Sequence, residues 1–135
     1  PASMEIFNAP SRETCTVRRE RTDTPLQALA GLDDPQFIEA ARNLAQTALK
    51  QSKQEKAIDY IAEHLLDRPL KSEERRLTTS VYKDLLKHYK SAPKDAEALI
   101  AVGESKADPQ LDQPTLAAYT MVANEMMNLD EVLNK

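Results

Sequence analysis

Apolar residues recur at helical spacing along most of this chain, but residues 1–23 show neither a period of 3.6 nor of 2. Those residues read as an irregular arm, with Pro1 and Pro10 disfavouring helix. A short helix is expected from Thr24-Pro25-Leu26-Gln27, where Thr24 caps, Pro25 suits the first helical position and Gln27 completes a capping box. Gly31 can end it, and Asp34-Pro35 starts the next. There Phe37, Ile38, Ala41, Leu44, Ala45, Ala48 and Leu49 form one apolar stripe. After a polar break at residues 51–56, a third helix is expected over about residues 54–67, with Ala57, Ile58, Ile61, Ala62, Leu65 and Leu66 facing inward. Pro69 stops it.

Ser72 is expected to cap a fourth helix, with Glu73 and Glu74 at its positive end and Lys87, His88 and Lys90 at its negative end. Its apolar face is Leu77, Val81, Leu85 and Tyr89. Pro93 opens a short fifth helix ending near Gly103, a candidate left-handed cap. A loop follows from Glu104 to Leu111. Asp112 then caps the last helix, with Leu116, Tyr119, Val122, Ala123, Met126, Met127 and Leu129 facing in. Leu44, Ile61, Leu85 and Val122 lie mid-stripe and are expected in the core. The fold class is all-α: a compact bundle of five to six helices with an extended N-terminal arm. Residues 1–23 form the arm and residues 24–135 one helical domain. Short loops make consecutive helices expected antiparallel neighbours.

Composition narrows this without changing it. The 135 residues fit one domain, and two Phe, four Tyr and no Trp leave the core to aliphatic side chains. Two glycines and few β-branched runs argue against a sheet. A net charge of −4 disfavours a general nucleic-acid or anionic-membrane binder. No apolar run approaches the roughly 20 residues that span a bilayer. The chain starts at Pro1 with no initiator Met, so it is expected to be part of a larger protein, and a monomer.

Candidate chemistry is thin. The arm holds Arg12, Arg18, Arg19 and Arg21, whose rigid forks suit an anion or a docking contact. Glu5, Glu13, Glu20 and Asp23 balance them, which favours structural pairing. Cys15, the single cysteine, excludes an internal disulfide, and as a nucleophile it would need an oriented base. His64 and His88 fall on separate helices among charged residues and read as solvated. The acidic pairs Asp33-Asp34, Glu73-Glu74 and Asp130-Glu131 read as caps and dipole partners. Met121, Met126 and Met127 read as core filling. No ligand spacing suggests a metal, no cofactor is expected, and no catalytic constellation is visible.

Two motifs carry a family resemblance. The run Phe7-Asn-Ala-Pro-Ser-Arg-Glu-x-Cys-Thr-Val-Arg-Arg-Glu-Arg-Thr-x-Thr-Pro-Leu-Gln-Ala-Leu, followed by Asp34-Pro-Gln-Phe-Ile-Glu-Ala-Ala-Arg42, resembles the planctomycete-specific domain called PSD-one. Leu99-Ile-Ala-Val-Gly-Glu104 and Asn128-Leu-Asp-Glu131 match its end. The family usually has Asn where Asp23 and Asp33 stand, Leu at Gly31 and Gly at Asp67. The chain resembles the C-terminal part of that domain, a module of large proteins that often carry a cytochrome-c-like domain. The family has no established activity. Its members look exported, implying a periplasmic or cell-surface setting and the parent chain's neighbouring domains as partners. The leading expectation is a helical accessory or docking module. The alternative is part of an anionic-ligand or polysaccharide site completed by the rest of the parent, with the arm's arginines contributing.

Overall fold

The computed structural model describes residues 35–128. The arm, the Thr24 helix and the residues after Asn128 lie outside the described residues. Five helices and one 3-10 turn follow in order, with no strand among the described residues. They are α1 (Pro35–Gln51), the 3-10 turn (Gln54–Lys56), α2 (Ala57–Leu66), α3 (Ser72–Ser91), α4 (Pro93–Ile100) and α5 (Gln113–Met127). The all-α helical domain expected from the periodicity is the one observed.

The core is built around α5. Every residue from Thr115 to Asn124 is buried, and α1, α2, α3 and α4 all pack on this helix. This differs from the one-faced helix that the sequence suggested. Ala41, Ala45 and Ala48 of α1 are fully buried, and with Ala117 and Ala118 they keep side chains small on these two helices, whose contact is the most extensive in the fold. The buried hydroxyl of Thr120 donates to the Leu116 carbonyl at 2.7 Å, and that of Thr78 on α3 to the Glu74 carbonyl at 2.7 Å. A polar side chain that bonds its own helix can enter a core without an unsatisfied group. Tyr119 stacks on Tyr82 of α3 at 4.2 Å between ring centroids and donates its hydroxyl to the Gln54 carbonyl at 3.0 Å. That single side chain ties α5 to α3 and to the 3-10 turn.

Cap chemistry largely follows the sequence. Asp112 caps α5, accepting from the Thr115 backbone N–H at 3.1 Å and from its hydroxyl at 2.7 Å. Ser72 does not cap α3. It is the first helical residue, Lys71 is the N-cap, and the Glu74 carboxylate accepts the Lys71 N–H at 2.8 Å. The expected third helix divides into the 3-10 turn and α2. Helix α2 ends on Asp67, whose φ of 61° is left-handed, a conformation that glycine adopts without cost. Helix α4 stops at Ile100, so Gly103, at φ +99°, serves the following loop and not the helix end.

Two expected core residues are corrected. Ile61 and Val122 are fully buried, but Leu44 and Leu85 are half-buried at the edge of the core. Phe37 is corrected more sharply: it is 44% exposed. An apolar stripe wider than the neighbouring helices can cover leaves its margins in water.

Candidate functional site

The described polar side chains converge in two places, neither singled out by the sequence. The first lies along one edge of α1. Glu39, Arg42, Gln46 and Lys50 follow one another at intervals of three or four residues, so they share a face. All four reach the loop after α4. Arg42 is 1% exposed and donates to the Ser105 carbonyl at 3.0 Å, the Lys106 carbonyl at 3.0 Å and the Ser105 hydroxyl at 2.6 Å. The Ser105 hydroxyl and backbone N–H in turn donate to Glu39 Oε2. Gln46 accepts the Asp108 N–H at 2.9 Å, and Lys50 pairs with Asp108 at 2.6 Å.

Electrostatics follow the hydrogen bonds. The Ser105 hydroxyl, then its N–H, hold the Glu39 carboxyl below the usual carboxylate range. Lys50, then the Gln110 N–H, do the same for Asp108. Both acids are fixed as carboxylates, and Arg42 is spent on loop carbonyls. Such a cluster immobilises a loop. It offers no neutral acid to donate a proton and no poised base to accept one.

The second cluster joins α2 to α3. Arg68 donates twice to Glu74, Nη1 to Oε1 at 2.9 Å and Nη2 to Oε2 at 3.0 Å. The Glu74 side chain is fully buried, whereas that of Arg68 is 28% exposed. Arg68 is the largest influence lowering the Glu74 carboxyl, against burial, which raises it. This pair holds the turn between the two helices at a fixed angle. The expected Glu73-Glu74 acidic pair is thereby split: Glu73 is exposed and Glu74 is sealed inside.

The other candidates resolve individually. Arg12, Arg18, Arg19, Arg21 and Cys15 lie outside the described residues, as do Asp33-Asp34 and Asp130-Glu131. His64 is exposed, with Tyr60 parallel to it at 6.4 Å. His88 is not simply solvated: it is half-buried, 3.2 Å from Asp95 through Nε2 and edge-on to Tyr89 at 5.1 Å. The nearby Ser91 hydroxyl donates to the His88 backbone carbonyl and not to its ring, so no nucleophile–base–acid chain forms. Met121 and Met126 are fully buried, as core filling requires, and Met127 is half-buried. No group of three or more potential metal ligands occurs among the described residues. No helix among them is long and apolar enough to cross a membrane.

The first cluster joins α1 to the loop after α4: Glu39 and Arg42 reach Ser105 and Lys106. Residues about 65 positions apart thus meet in one clamp. The family model for PSD1, a protein of unknown function (DUF1553), matches residues 1–82. The chain belongs to the PSD1 family. Its match takes in α1, α2 and the first half of α3, hence the whole Arg68–Glu74 pair and the α1 side of the loop clamp. No curated protein and no solved structure matches the chain.

The sequence held one overlooked signal for the clamp: Arg42 interrupts an apolar stripe at a position flanked by Ala41 and Ala45. A charged residue inside a stripe is either an error of phase or a buried group with partners elsewhere. The Arg68–Glu74 pair left no comparable signal, because it crosses a turn rather than repeating along one helix.

Proposed function

We propose that this PSD1 chain is a non-enzymatic helical docking module within a larger exported protein, in a periplasmic or cell-surface setting, and that it contacts neighbouring domains of its parent. One observation carries the reading. Phe37 is the sole exposed large hydrophobic side chain among the described residues, and it stands at the third position of α1. A phenyl ring left in water in the first turn of a helix is a natural anchor for a partner surface. Burying its remaining apolar area is worth about 1–2 kcal/mol. The polar clusters support the same reading, since their charges are committed to fixing loops and turns.

The test is association of the chain with the remainder of its parent protein supplied in trans, measured by calorimetry. Binding is expected, and Phe37→Ala is expected to weaken it about ten-fold, the equivalent of roughly 1.4 kcal/mol. Unchanged affinity in Phe37→Ala, with the variant melting as wild type, overturns the reading.

A further inference from the structure

Helix α3 is two-sided. Glu74, Thr78, Tyr82 and Tyr89 are buried toward the core. On the opposite side stand Arg76, Ser80, Lys83, Lys87 and Lys90, all exposed and all within a narrow angular range of the helix. The four cations extend over about 21 Å of helix axis, at 1.5 Å per residue. Among the described residues none of them takes part in an ion pair, whereas Arg75, at the margin, is paired with Asp59 at 2.9 Å. The stripe carries two shallow open depressions that meet at Lys83, one reaching back to Ser72 and the other on to Ser91. Thr79 and the half-buried Leu86 border it on one side, Glu73 and Asp84 on the other.

The geometry points to this face of α3 as a docking surface for an acidic helical protein segment. The inference deepens the docking reading and rests on it. Charge decides the sign of the occupant: four unpaired cations in a line, within a chain of net charge −4, make a local positive stripe on an acidic body. A short acidic segment of about 21 Å matches the length of the stripe. Spacing decides the shape. The cations are separated by seven, four and three residues, the intervals that return to one face of a second helix lying alongside. Carboxylates at the same intervals can meet all four, and apolar residues beside them can cover Leu86. Among the described residues no aromatic side chain lines these depressions, so the residues that line them offer no stacking platform for sugar rings or bases.

The experiment uses the 135-residue chain and three probes: a helical peptide with glutamates at the matching intervals and leucines beside them, a peptide of the same composition in scrambled order, and dextran sulfate. The matched peptide is expected to bind at least about ten-fold tighter than the scrambled one, and more weakly as salt rises. Lys83→Glu/Lys87→Glu is expected to weaken it about ten-fold or more, with an unchanged melting curve and circular dichroism spectrum. Equal binding of both peptides, or no effect of the charge reversal, overturns the inference. Dextran sulfate binding more tightly than the matched peptide, with the same sensitivity to the reversal, replaces the peptide with a polyanionic polysaccharide. Phe37→Ala is expected to leave peptide affinity unchanged. Failure at α3 therefore stays distinguishable from failure of docking through Phe37.

Discussion

Gly103 lies against the side chain of Glu39: a Cβ built on it would come within 2.7 Å of the Glu39 Cβ and would overlap the carboxyl group. The glycine also holds φ at +99°, where L side chains are strained. Two independent requirements therefore fall on one residue. Glu39 must pass over it to reach Ser105, and the loop must turn there.

Gly103→Ala is expected to destabilise the protein by about 2 kcal/mol or more, read from urea unfolding. Part of that cost is steric. In a Glu39→Ala background the same substitution should cost less, and a double-mutant cycle measures the difference. Additivity would show that the turn conformation alone matters.

Glu74→Gln leaves Arg68 facing a neutral amide at a buried site. The expected loss is about 2–3 kcal/mol, below the cost for a fully buried pair because Arg68 keeps 28% of its side-chain surface exposed. The midpoint of thermal unfolding should fall by several degrees. An unchanged midpoint would show that the pair is replaceable by water.

Stability should decline in acid. Glu39, Glu74 and Asp108 all have carboxyl groups held below their ordinary range in the folded chain. The unfolded chain then binds protons first as pH falls. Their contribution is complete above the unfolded values, near about 4, and is lost as pH drops through that range toward the lower folded values. Urea midpoints measured from neutral pH down to about pH 3 check this, and the Glu74→Gln variant should show a shallower decline.

Ile61→Ala and Leu85→Ala should separate clearly. Ile61 is fully buried, so its truncation leaves a cavity and is expected to cost about 3–4 kcal/mol. Leu85 is half-buried, and its loss should stay near 1–2 kcal/mol. Chemical denaturation of both variants decides the order.

Asp67→Gly should stabilise by up to about 1 kcal/mol, because the residue occupies a left-handed helix cap at φ 61°. The family resemblance had already placed glycine at this position, and the backbone supplies the reason. A lower melting temperature in the variant would show that the interactions of the Asp67 side chain outweigh its backbone strain.

Among the described residues, helix number, type and most boundaries were determined by the sequence alone, because periodicity and capping residues act within a few positions of each other. Pro35, Pro93 and Asp112 mark helix starts by local chemistry, and Ile61 and Val122 are buried because each sits at the middle of its stripe. Tertiary structure decided what depends on neighbours. A helical pattern reports which face is apolar, not how many helices cover it. So α5 could become buried all round, since its Thr120 bonds its own backbone, while Phe37 and Leu44, at the margins of the α1 stripe, were left partly in water. Glu74 entered the interior because Arg68 bonds both its oxygens, and Arg42 because Ser105 and Lys106 accept from its two terminal nitrogens, although its buried Nε finds no partner. For Arg42 those partners are more than 60 residues away, a separation that no local pattern encodes and that folding alone closes.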